Sequence, residues 1–451
     1  MSLNNYFTKR SFLLGIFLTS ITTLGLEVCL TRYFSISQEY HFAFLVVSIA
    51  FLGYGASGSF LSLFEKTFIR HPQRLLPVLS LLYSFSIIFC FLIGNRVPFN
   101  FIQLSWNPQK VFYLFIYYFI FSIPFFFSGL IISFSMSRSP ENASRIYFAD
   151  MGGAAAGAIL PLLIFLPQGD RGVFLFLAFF PLIASFFFAR RKIDWIKILS
   201  IFWLGILLVA FFISPEWLSF RISLFKALPT AIKYPGAKIL STKWNAISRV
   251  DVIDSPAVRF APGLSLFYSG ELPPQLGLSI DGGELSALTS FTSADDPALE
   301  FLHHLPSSLA YKLVSRPKVL LLAPKAGLDL VSAAAHQAEK IKAIEANPLI
   351  VKLLKTEFID FSGALYLEKN VDLTLAQPRS GLNSIRNRFD LIIFPLTNVF
   401  GSAGSGHYGF GEDYLFTTEA FSKAFRNLSP DGWVEMSFYL IPPPRQELRA
   451  V

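Results

Sequence analysis

The chain has 451 residues, 53% hydrophobic and only 15% charged, with a mean hydropathy of +0.52 and a formal net charge of +8. These values exclude an ordinary soluble globular protein, and the two cysteines, Cys29 and Cys90, lie inside apolar runs that suit neither a disulfide framework nor a thiolate metal site. The positive charge does not point to nucleic acid, because the basic residues cluster beside apolar runs, where they set membrane orientation.

A bilayer core takes about 20 apolar residues per helix. Seven runs qualify: about 11–30, 42–64, 75–94, 111–136, 147–167, 172–189 and 196–213. The first resembles a signal peptide, since Lys9 and Arg10 precede it, but Glu27, the missing cleavage pattern and the further spans favour a retained helix. Pro124 and Pro161 should kink their helices. Eleven Lys and Arg residues fall in loops on one side of this arrangement and four on the other, which places the amino terminus in the cytoplasm of a multi-pass protein of the cell (inner) membrane. Seven spans would carry the carboxyl-terminal half outside; an error of one span reverses that side.

Small residues recur at helical spacing in "FLGYGASGSF" (51–60) and "MGGAAAGAIL" (151–160), the latter with Gly153 and Gly157. Such faces let helices approach closely, within one bundle or between copies in an oligomer. Glu27 and Asp150 are ionisable groups in or at the edge of spans. They could line a substrate path, or pair with Arg32 and Arg145, each five residues away.

Residues 214–236 mix aromatic and basic side chains, as an interfacial helix and linker to about 244 would. From 245 to 291, short alternating runs such as "SRVDVID", "LSLFYSG" and "LGLSIDGG" suggest a small antiparallel β-unit. A helical segment is expected at 295–314. From 292 to 451 strand and helix alternate, with strands at 318–323, 340–345, 371–376, 389–394 and 432–438 and helices at 327–337, 348–356 and 417–428. Runs such as "KVLLLA" and "FDLIIF" suit strands covered on both faces, in an open α/β layer whose ligands bind at the carboxyl ends of the strands.

The order "LSIDGG", "EFLHHLP", "KVLLLAPKAGLD", "IKAIEANP", "FDLIIFP" resembles the spermidine synthase family of aminopropyltransferases. "LEVCLTRYFSISQEYHFAFLVVSIAFLGYGASG" (26–58) and "APGLSLFYSGELPPQLGLSIDGGE" (261–284) resemble the multi-pass bacterial spermidine-synthase-like membrane proteins. The resemblance implies a membrane bundle over 1–213, a small β-unit and a Rossmann-like domain of the kind that takes S-adenosylmethionine or its decarboxylated form. It implies that Glu345 bonds a ribose hydroxyl of that cofactor, that Gly327 is the last glycine of the loop, and that Asp329 is its following acid. Lys325 would face the cofactor carboxylate at a helix amino terminus, and Asp281, Glu300 and His304 fall near the cleft for a small-molecule amine.

The departures are as informative. The family's general base just past the fourth strand is Pro395 here, with Thr397 nearby, and proline has no titratable group. Gln377 stands where a carboxylate would meet adenine, and Ala298-Leu299 replaces a Tyr-His pair. In the loop itself, Ala323, Pro324, Lys325 and Ala326 occupy ground where glycines let the backbone approach a ligand. Unaltered cofactor binding is therefore not expected. The stretch 397–414, with five glycines and His407, reads either as a lid or as a surface loop. No zinc spacing, P-loop or nucleophile elbow occurs. A complete domain of this kind would continue past "IPPPRQELRAV" with a helix and an antiparallel strand pair; their absence would leave the fifth strand as an exposed edge, so either the molecule is shortened or something else covers that edge. Three functions compete: a non-catalytic relative, an adenosyl-dependent methyl- or aminopropyltransferase, and a polyamine-type transporter.

Overall fold

The computed structural model describes residues 6–38, 44–68, 72–100, 103–104, 107–189, 195–283, 285–397 and 415–438. The basic run 190–192, residues 398–414 with His407, and the chain after 438 lie outside the described residues. Two compact units form: Met1–Ser223 with Trp244–Ile247, and Leu224–Lys243 with Ser248–Val451.

The first unit is helical: α1 (Arg10–Ser37), α2 (Leu45–Phe68), α3 (Pro72–Gly94), α4 (Lys110–Arg138), α5 (Ala143–Phe188) and α6 (Trp195–Ile213). Among the described residues, six helices are thus long and apolar enough to cross a membrane, where the sequence suggests seven spans. The expected spans 147–167 and 172–189 share α5, whose backbone leaves helical geometry at Gly169 (φ 58°, ψ −145°) rather than at Pro161. Only a residue without Cβ takes that conformation freely, and a Cβ there would also meet the Trp244 indole.

Packing against α1 gives the direction of each part of α5. Before the break, Gly153 lies against the Phe17 carbonyl, Gly157 against that of Ile21, and Pro161 beside Gly25, so both chains advance together. After it, Leu177 O accepts from Thr22 Oγ1 (3.3 Å), and Phe188 packs on Gly15 and Phe12, so they run in opposite senses. The chain therefore reverses at Gly169. Pro181 has no N–H for the Leu177 carbonyl, and the Thr22 hydroxyl supplies the missing donor. On α3, Ser80 and Ser84 donate to the carbonyls of Pro181 and Ala178, which sets α3 antiparallel to this second part. Tyr33 lies at the centre of the aromatic packing, 5.3–6.3 Å from the rings of Phe91, Phe121, Phe174 and Phe220.

The second unit begins with a short helix, α7 (Ala227–Ala231), and a four-stranded sheet, β1 (Lys238–Trp244), β2 (Arg249–Asp254), β3 (Gln275–Ile280) and β4 (Leu285–Thr289), in that order. β2–β3 and β3–β4 are antiparallel. "LSLFYSG" forms turns rather than a strand: Gly263 at φ 73° bends its approach, and Ser265 N donates to His304 O instead of to a ladder. A 3₁₀ helix (Pro297–His304) and α8 (Ser308–Leu313) lead into the larger layer.

That layer contains β5 (Lys318–Leu322), α9 (Leu328–Ala335), β6 (Lys340–Glu345), α10 (Pro348–Lys355), β7 (Val371–Leu375), α11 (Pro378–Ser384), β8 (Phe389–Thr397), α12 (Thr418–Arg426) and β9 (Leu428–Phe438). Its strands are all parallel, in the order β7-β6-β5-β8-β9, consistent with a Rossmann-like domain. Strand periodicity explains the two cores. Val319, Leu321, Leu391 and Ile393 share one face with α9 and α10, while Leu320, Leu322, Ile392 and Phe394 share the other with residues of α11 and α12. The small sheet contributes Val250, Val252, Leu276 and Leu278 to the first of these cores. Because β6 and β8 leave β5 on opposite sides, the order reverses at β5, and its carboxyl end is where such sheets open a crevice.

Candidate functional site

Five residues, Ala323–Gly327, turn the chain from β5 into α9. Ala323 (φ 50°), Lys325 (φ 52°) and Gly327 (φ 94°) alternate in the left-handed region. Glycine is the residue at ease there, and a side chain costs about 1–2 kcal/mol per position. The loop thus follows a glycine-type path with two of its three special positions carrying a Cβ. Gly327 N donates to Pro324 O (2.9 Å) and Ala323 N to Ile344 O (2.8 Å), which fixes the turn to β6.

Glu345 ends β6 and is 5% exposed. Its Oε2 accepts from Lys325 N (3.1 Å) and its Oε1 from Asn347 N (2.9 Å), so both oxygens hold backbone amides. Burial raises the Glu345 carboxyl above its ordinary pKa, against the pull of the amides of Asn347, Lys325 and Ala346 and the Lys325 charge. Asn347 caps α10 through Leu349 N (3.1 Å) and donates to Ser248 Oγ (2.9 Å). The buried Tyr366 hydroxyl donates to Ala326 O (3.3 Å), and a Cβ at Gly327 would collide with it. An adenosyl ribose needs an accessible acid at the end of β6 and open loop amides. Here the acid is buried with both oxygens on main-chain amides, and the Tyr366 hydroxyl meets the carbonyl of Ala326 beside the loop.

Asp329 stands in the first turn of α9, and burial pushes its carboxyl up to about 6, with the Lys325 charge opposing. Glu435 on β9 is pushed up to about 7 by burial, with the Ser437 hydroxyl opposing and the Asp329 charge adding to the rise. Glu435 escaped the sequence reading. Its signal was a charge inside the apolar run "GWVEMSFYL", in register with Ile393 and therefore facing the same core as Leu321. Burial raises the Tyr311 hydroxyl well above its ordinary pKa, with the Asp329 and Glu435 charges adding to the rise and the nearby Ser332 hydroxyl opposing it.

The remaining candidates are scattered. Asp281, in the β3–β4 turn at φ 51°, accepts from Arg249 N (2.8 Å) at Oδ1 and from Lys226 Nζ (3.0 Å) at its carbonyl. Glu300, exposed, and His304, half-buried, face one another at 3.6 Å on the 3₁₀ helix, and His304 packs on Tyr268. It is His303 that turns inward, its Nδ1 3.0 Å from His336 Nε2, beside a cavity of about 420 Å³ that Glu300 also lines. Pro395 and Thr397 fall within β8, and Gln377 occupies the N-cap position of α11 without a side-chain cap bond. In the helical unit, Glu27 and Asp150 line one cavity of about 280 Å³. Neither has an ion-pair partner among the described residues, so the alternative pairing with Arg32 and Arg145 does not occur there.

No family model and no curated protein matches the chain. Solved structures do. A spermidine synthase in complex with the transition state analogue AdoDATO is similar at 18% identity and a TM-score of 0.30, covering 44% of this chain and 56% of that one. Spermidine synthase from Thermotoga maritima is similar at 17% identity and a TM-score of 0.31, with the same coverage of 44% and 56%. The chain thus spans little more than half the length of these structures.

Proposed function

We propose that this is a membrane-embedded protein whose Rossmann-like unit is a non-catalytic relative of adenosyl-dependent transferases, acting as a scaffold or recognition module. The observation that carries this reading is the closure of Glu345 on the amides of Lys325 and Asn347. Pro395 and Gln377, where base and adenine contacts belong in the resembling family, support it.

The six apolar helices support embedding in a bilayer. The reversal at Gly169 supports counting α5 as two passes, which makes seven and carries unit two to the side opposite a cytoplasmic amino terminus. A cytosolic adenosyl cofactor would have little access there. A reporter fused after Val451 tests sidedness. Titration calorimetry of the full chain in detergent with S-adenosylmethionine and its decarboxylated form tests the module. Silence at millimolar ligand is expected, and saturable binding that Glu345→Ala abolishes would overturn the reading.

A second reading, a transferase with weakened cofactor binding, draws on the retained left-handed positions at Ala323, Lys325 and Gly327. Methyl or aminopropyl transfer to an amine or peptide pool would decide for it.

A further inference from the structure

Two carboxyl groups of the helical unit share one cavity and have no counter-charge among the described residues. Glu27 projects from α1 and Asp150 from α5, and both line the cavity of about 280 Å³ together with Ser20, Thr23, Tyr54 and Ser133. Asp150 Oδ1 accepts from Ser20 Oγ at 2.5 Å. The Glu27 carboxyl takes no hydrogen bond or ion pair among the described residues. Thr23 is held in place by Thr19 O (3.0 Å), Ser128 Oγ (2.5 Å) and Tyr83 OH (3.2 Å), so the polar wall is tied into the bundle.

Carboxylates among apolar helices cost several kcal/mol each unless something compensates. Two of them on one cavity, with no lysine or arginine among its described lining residues, give it a negative field that favours a positively charged occupant. The size argues against a bare ion: at roughly 30 Å³ per water the cavity has room for about nine waters' worth of matter. Among the described residues no three His, Cys, Asp or Glu side chains are grouped to hold a metal. The wall offers instead what an ammonium group uses: carboxylate and hydroxyl acceptors for three N–H donors, and the Tyr54 ring for the adjoining methylene groups.

We infer that this cavity binds the primary ammonium head of a small organic cation, with Glu27 and Asp150 as counter-charges and the hydroxyls as further acceptors. The inference rests on the helices lying in a bilayer and is independent of the state of the loop at β5. Alkaline carbonate extraction of membranes reports embedding separately, so failure of that premise is distinguishable from failure of the site.

The test uses the full chain in detergent, titrated calorimetrically with n-butylammonium and, as the neutral isostere, with 1-butanol. Saturable heat with the ammonium and none with the alcohol is expected, and Glu27→Gln and Asp150→Asn should each weaken binding at least tenfold. Labelling with a hydrophobic carbodiimide, read by mass spectrometry, needs no variant: Glu27 should react, and n-butylammonium but not butanol should protect it. No saturable ammonium binding, equal binding of the alcohol, unchanged affinity in both variants, or absence of protection would each overturn the inference.

Discussion

Replacing Glu345 by alanine separates a structural from a ligand-binding role for this acid. Its two oxygens hold the amides of Lys325 and Asn347 at 3.1 and 2.9 Å, in a position 5% exposed. Hydrogen bonds to a charged group contribute about 1.5–3 kcal/mol each, and two amides would be left without their acceptor. Removing the carboxyl also removes its own burial cost, which is what raises its pKa. The net loss should be about 3 kcal/mol, or roughly 10 °C in the melting of a unit of this size. Glu345→Gln should cost about half as much, since an amide oxygen can keep one of the two bonds. Thermal melting of the full chain in detergent gives the global effect, and hydrogen exchange at Lys325 and Asn347 gives the local one. The alanine variant should lose protection at both amides. Unaltered melting and exchange, together with loss of adenosyl binding, would refute the argument and make Glu345 a cofactor ligand.

The other predictions concern strain, charge and packing. Ala323→Gly, at φ 50°, relieves about 1–2 kcal/mol of left-handed strain against about 1 kcal/mol of added unfolded-state entropy, so denaturant titration should show neutral to about 1 kcal/mol stabilising behaviour. The carboxyls of Asp329 and Glu435 keep their protons to about 6 and about 7 in the folded state, so ionisation favours unfolding. Stability should therefore fall as pH rises from about 4 to about 7, and stay low above that. For Asp329 the full linkage is about 3 kcal/mol, which partial solvent access reduces to about 1–2, and Asp329→Asn should flatten the slope and raise the melting temperature at pH 8. Gly157→Leu sets side-chain bulk against the Ile21 backbone and must part α1 from α5, so it should abolish a folded bundle in detergent, while Gly58→Leu, in open space, should not.

Periodicity carried much of the architecture. β5 and β8 show in the sequence as continuous apolar runs, as strands covered on both faces do, whereas β6 ("KIKAIE") and the edge strand β7 ("VDLTL") show as alternating runs. β1 was not legible: "KILSTKW" lies in a stretch whose composition resembles a linker. α11, "PRSGLNS", has too little apolar surface to announce a helix. In the bundle, hydropathy marks 147–167 and 172–189 as separate runs but cannot say that the backbone break between them falls at Gly169 and reverses the chain's direction.

What the sequence determined by itself was which residues are apolar, at what period, and which special positions lack glycine. That is enough to separate a helical bundle from an alternating α/β layer, since both depend on local spacing. Tertiary structure decided where the functional groups point. Only folding turns Glu345 onto the loop amides, brings Glu435 within the field of Asp329, and sets Glu27 and Asp150, 123 positions apart, on one cavity. Such meetings depend on helix direction and strand order, and neither is written in any single window of the chain.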